Sequence, residues 1–157
     1  MATHLARTGL AALNVAIVTA GLGLTFLMLA QIVMRYLLGG GFLGIEEIAV
    51  LFGVWFYFLG MARASLDGDH IRGGIASLLA NRPGQIRWLD RIDLAVVSLG
   101  NVIFTVLAVR YSITLAQSGR ASTYMGWPSW LWAVSMVCGF ALATVFELRR
   151  QRAEGGS

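Results

Sequence analysis

Four long apolar runs alternate with polar breaks along the chain. The first extends without a charge from Thr8 to Met34 and the second from Ile48 to Ala62. The third runs from Leu94 to Val109 and on to Ala116, and the fourth from the neighbourhood of Pro128 to Leu148. A helix needs roughly 20 apolar residues to cross a bilayer core. The pattern therefore predicts an all-α integral membrane protein, one membrane domain over 1–157 with spans at about 10–38, 42–63, 94–116 and 128–148.

The breaks carry their own patterns. Within the polar segment 64–93, Asp67-Gly68-Asp69-His70 is followed by Ile71, Ile75, Leu78 and Leu79 beside Arg72, Ser77, Asn81 and Arg82. Apolar residues at i, i+4, i+7 and i+8 predict a short amphipathic helix on the membrane surface between helices 2 and 3, although Gly73-Gly74 lowers its propensity. Pro83-Gly84 ends that segment, and Pro is well tolerated in the first turn of the next helix. That helix is expected to begin near Gln85, with Arg87, Asp90, Arg91 and Asp93 as a solvated, charge-interleaved start. Asn101 and Thr105 share a face four residues apart and are expected to bond another helix. The segment 117–128 is a loop by its Gly, Ser and Pro content, and Tyr124, Trp127, Trp130 and Trp132 form an interfacial aromatic belt. Small residues at four-residue spacing, Ala12, Ala16 and Ala20 in the first span and Ser135, Gly139 and Ala143 in the last, are candidate packing faces.

The entry to the second span is the most unusual stretch. Arg35 closes the first run, a turn containing Gly39-Gly40-Gly41 follows, and Glu46-Glu47 opens a run rich in Trp and Phe that Arg63 closes. On a helical wheel Glu46 shares a face with Ala49, Val50, Gly53, Tyr57 and Gly60, while Glu47 lies about 100° away. Glu46 is thus expected to face protein and to pair with Arg35 or a partner subunit. Glu47 is expected to face headgroups or a neighbouring loop. The plainer alternative is a solvated first turn whose carboxylates favour the helix dipole. Gln31 and Asn14, near the ends of the first span, are expected to make interfacial hydrogen bonds.

Composition sharpens this picture. Apolar residues make up 57% of the 157 residues and charged ones 13%, too apolar a balance for a soluble core of this length. All twelve cationic side chains are Arg and cluster at segment ends, which argues against a nucleic-acid stripe despite the net charge of +4. With both termini cytoplasmic, nine Arg (7, 63, 72, 82, 87, 91, 149, 150, 152) lie inside and three (35, 110, 120) outside. That is a positive-inside bias. The first run is far longer than a signal-peptide core and is expected to be a retained span. The single Cys138 excludes an intrachain disulfide. No span carries a charge at its centre, and His4 and His70 lie outside the spans, so no haem, metal, cofactor or catalytic set is expected and the chain is not expected to be an enzyme.

The order Arg35-Tyr36, Gly-rich turn, Glu46-Glu47, a Trp/Phe-rich span ending Gly60-Met61-Ala62-Arg63, then His70-Ile71, resembles the small membrane subunit of tripartite ATP-independent periplasmic (TRAP) transporters, the DctQ family. Ser122 and Trp127-Pro128-Ser129-Trp130 are also similar. The resemblance implies four spans in the bacterial inner membrane with both termini cytoplasmic. It also implies a large multi-spanning partner subunit that carries the substrate and sodium sites, and a periplasmic substrate-binding protein that delivers an organic acid such as a dicarboxylate or sialic acid. The small subunit would enlarge the static scaffold, and Arg35, Glu46, Glu47, Arg63 and His70 would maintain the fold and the subunit or lipid contacts. One departure is Arg72-Gly73 after His70-Ile71, where relatives often have an apolar residue and Asp. Two other classes share a four-helix plan: a membrane anchor of a respiratory enzyme, and a small exporter, which should place a Glu deep in its first helix.

Overall fold

In the computed structural model, which describes residues 2–67 and 83–154, the chain forms four helices. They are α1 (Ala2–Leu37), α2 (Gly44–Asp67), α3 (Pro83–Gln117) and α4 (Trp130–Glu154). Each contains a stretch long and apolar enough to cross a bilayer: Thr8–Leu37, Gly44–Leu66, Ala95–Gln117 and Trp130–Arg149. The four expected spans are present. The amphipathic helix expected over 71–82, and His70, lie outside the described residues.

Local chemistry sets the helix ends. Gly39, at φ 68°, takes the left-handed conformation that side chains with a Cβ disfavour, and the Gly40 N–H donates to the Met34 carbonyl at 3.3 Å, turning the chain out of α1. Gly119, at φ 61°, serves the same purpose after α3, where the Ser118 N–H still reaches the Thr114 carbonyl at 3.0 Å. Pro83 is the first residue of α3, a position where its missing N–H is not needed.

The helices pack as an open row in the order α1–α2–α4–α3. Among the described residues α1 touches only α2, and α3 touches only α4. Glycines create the contacts. A Cβ on Gly21 would stand 2.9 Å from the Phe56 ring, and one on Gly23 would stand 2.5 Å from the Phe52 ring. At the centre of the row, a Cβ on Gly139 would stand 2.6 Å from Phe58 Cβ and 2.8 Å from the Phe58 carbonyl oxygen, so α2 and α4 meet backbone to side chain. Ser135 and Ala143, one turn to either side of Gly139, are fully buried, which bears out that row as a packing face. In α1, by contrast, only Ala20 of the three spaced alanines is buried. Phe140 stacks on Phe104 of α3 at 5.3 Å and tilts against Phe58 of α2 at 5.6 Å, tying three helices together.

The run Trp55-Phe56-Tyr57-Phe58 divides as its wheel suggests. Phe58 meets α4, Phe56 meets Gly21, and Tyr57 is exposed. Asn101 and Thr105 depart from expectation: the Thr105 hydroxyl donates to the Asn101 backbone carbonyl at 2.7 Å, within α3 itself. In an apolar setting the carbonyl one turn back is always within reach, and Ser65, Ser112 and Thr144 use it in the same way.

Candidate functional site

The polar chemistry of the described residues gathers where the α1–α2 turn meets the α3–α4 loop. That loop is a small ordered unit. Ala121 and Pro128 form an antiparallel bridge, the Ser122 N–H donates to the Trp127 carbonyl at 2.7 Å, and the Ser129 N–H donates to the Arg120 carbonyl at 2.9 Å. Gly126, at φ 67°, makes the reversal, and the Trp127 N–H donates to the Ser122 hydroxyl at 3.1 Å. The turn leaves consecutive N–H groups pointing inward, a concavity suited to an anion.

Glu47 fills it. One carboxylate oxygen accepts from the Tyr124 N–H at 3.0 Å, and the other accepts from the Met125 N–H at 3.0 Å. The first turn of α2 is thereby clamped to a loop 77 residues away in sequence. Gly44, immediately before, is buried beneath the same loop: a Cβ there would strike the Phe42 ring and stand 3.0 Å from the Met125 sulfur. The expectation that Glu47 meets headgroups or a loop resolves in favour of the loop.

Glu46 turns the other way, toward α1, and accepts from the Gln31 side-chain amide at 3.1 Å. It remains exposed, whereas Gln31 is only 8% exposed, with its own carbonyl oxygen buried and lacking a hydrogen-bond partner among the described residues. The pairing with Arg35 does not form. Arg35 is exposed and has no ion-pair partner among the described residues. α1 and α2 are antiparallel, with Leu24 beside Gly53 and Gln31 beside Glu46, so Gln31, one turn before Arg35, is the residue level with Glu46.

The other singled-out residues are scattered. Gly53 lies against Leu24, whose methyls would stand 3.9 Å from a Cβ there, and Gly60 has open space at that position. Arg63, half-buried, sits near the far end of α2, away from the clamp. Arg110 is exposed on α3 within a stretch apolar enough to span.

One residue was missed altogether. Glu147 is 2% exposed inside the α4 span, and its Oε2 finds no hydrogen-bond partner among the described residues. The available signal was the Ser135–Gly139–Ala143 row, which reaches Glu147 when extended by four residues. Among the described residues no group of three His, Cys, Asp or Glu is placed to hold a metal ion. The arrangement is one of clamps between helices.

The family model for the DctQ component of tripartite ATP-independent periplasmic transporters matches residues 24–153. No curated protein matches the chain.

Proposed function

The chain belongs to the DctQ family of TRAP transporters, and on that premise we propose that it scaffolds the large transport subunit of a sodium-coupled importer of an organic acid. As a DctQ component it is the small membrane subunit of a system that also has a large membrane subunit and a periplasmic binding protein, and the family is one of transporter parts, not of enzymes. The observation that supports the scaffold reading is the open row. Four spanning helices lie side by side without closing into a bundle, so among the described residues the outer flanks of α1 and α3 are free to lie along a larger membrane body. A row stiffened by backbone contact at Gly139 and by the Glu47 clamp suits a stationary part.

In this reading both termini face the cytoplasm, as the distribution of Arg suggests, and the Glu47 clamp faces the periplasm. Glu46, Arg35 and the exposed side of α3 are then available to the large subunit, with Gly53, Gly60, Arg63 and His70 maintaining fold, subunit or lipid contacts. The test is reconstitution. Proteoliposomes holding the large subunit and this chain, supplied with the binding protein and an inward sodium gradient, should accumulate the cognate acid. Vesicles without this chain should not. Equal uptake by the large subunit alone would refute the scaffold role.

A further inference from the structure

Near the termini the row opens into a groove of about 1020 Å³ between α1, α2 and α4. Its floor includes Leu13 and Leu59, both nearly buried, and its walls are almost wholly apolar. We propose that this groove seats one phospholipid, its acyl chains between the three helices and its phosphate on Arg149.

Three observations carry the assignment. The mouth of the groove is marked by Gly9, Leu66 and Arg149, which lie at or within one residue of the ends of their spans. The groove therefore opens at the membrane–water boundary. Its deep end is marked by Ala16, Trp55 and Cys138. At 1.5 Å per residue, the walls from mouth to deep end run about 10 Å along α1 and about 17 Å along α2 and α4. Half of a roughly 30 Å hydrocarbon core is about 15 Å. The groove is thus one leaflet deep, long enough for acyl chains and too short for the spanning helix of a partner, which needs the whole thickness.

The third observation is charge. Among the described residues Arg149 is the one charged residue lining the groove; it stands at the mouth, exposed, and has no ion-pair partner among them. A guanidinium at that depth offers a planar fork of donors to a phosphate. The carboxylate of Glu147, two residues before, is buried away from the surface. Ala12 and Ala16 on the α1 wall are small and exposed, leaving the space that larger side chains would fill.

The experiment is native mass spectrometry of the full chain in detergent, titrated separately with palmitoyl-oleoyl phosphatidylglycerol, the matching phosphatidylethanolamine, and the matching diacylglycerol. Wild type should hold one molecule of either phospholipid. Arg149→Gln should bind both phospholipids roughly fivefold more weakly, the effect of one basic residue at an anionic surface, and should bind diacylglycerol unchanged. Ala12→Phe and Ala16→Phe, each checked for native helicity and thermal stability, should lose all three lipids. Phospholipid binding by Arg149→Gln equal to wild type, or retention by both folded Phe variants, would overturn the proposal. Copurification of the same variants with the large subunit is measured in parallel. If wild type holds no lipid and the Phe variants also lose the large subunit, the groove is a seat for that subunit and the proposal is wrong, while membership in the transporter stands.

Discussion

Along the α2–α4 contact a Cβ on Gly139 would collide with Phe58, whereas on α3, at the edge of the row, Gly100 has nothing within 4 Å of where its Cβ would stand. The same contrast runs through the spans. In the most apolar window of each, 17% of α2 and 28% of α4 is buried, against 11% of α1 and 6% of α3. Val96, Leu99, Phe104 and Leu107 on α3 and Val18, Leu22, Phe26 and Leu29 on α1 are all exposed. In water such edges would collapse onto something. In hydrocarbon, lipid tails are as apolar as Leu, so exposing these side chains costs little. Shape therefore places α2 and α4 against each other, whereas α1 and α3 hold by one flank and leave the rest of their surface to the bilayer or to a larger partner.

The sharpest way to break this contrast is Gly139→Leu. The clashing atoms include backbone, which cannot rotate away, so the helices must separate. Overpacking usually costs about 1–3 kcal/mol, and this site belongs at the upper end. Thermal unfolding in detergent should fall far more than for Gly100→Leu. Equal shifts would mean that the row has no stiff centre.

Next in size is the clamp. Glu47→Ala takes the acceptor from both the Tyr124 and the Met125 N–H groups and so unties the loop from α2. Glu46→Gln alters a single hydrogen bond at an exposed group, worth about 0.5–1.5 kcal/mol. Cysteine placed at position 123 in a Cys138-free background should become more reactive to a polar thiol reagent in the Glu47 variant, and change little in the Glu46 variant. The opposite ranking in the isolated chain would reverse the roles given to the two carboxylates.

The smallest effect expected is at Gly60. An added Cβ meets no atom there, so Gly60→Ala should raise helix stability by about 0.5–1 kcal/mol. A loss in the isolated chain would mean that α2 is closely approached at that level after all.

The spans were legible because hydropathy is a local property, and a run such as Leu94 to Val109 reports its own environment. The faces of single helices were legible too: Gly139 and Ser135 pack as their spacing suggests, and Glu46 and Glu47 diverge to different neighbours. Register between helices was not. Nothing in the composition near Arg35 says that Gln31, one turn before it, is the residue level with Glu46. Nor does the stripe of Gly53 and Gly60 say that the closest approaches between α1 and α2 come at Gly21 and Gly23 of α1, which receive the rings of Phe56 and Phe52. The Glu47 clamp was only half legible, because its donors are backbone N–H groups made available by the fold of the loop. Residue type leaves no trace of them. Glu147 escaped notice because a carboxylate two residues before an Arg pair reads as part of a helix end.

The order of the row has a consequence for synthesis. The helices leave the ribosome as α1, α2, α3, α4, but in the row α4 stands between α2 and α3. When α1 and α2 have been made they can pair at once. When α3 follows, none of the helices already made is one that it touches in the finished protein, and it must wait in the membrane alone. The loop that receives Glu47 has also yet to form, so one end of α2 stays untethered. Only the last helix joins the two halves, sliding between partners that preceded it, and it brings the clamp, the glycine contact and the aromatic stack within reach in a single step. A ribosome that stalls before Trp130 would leave a pair and a lone helix in the bilayer, linked by the chain but not packed on each other, for quality control to find.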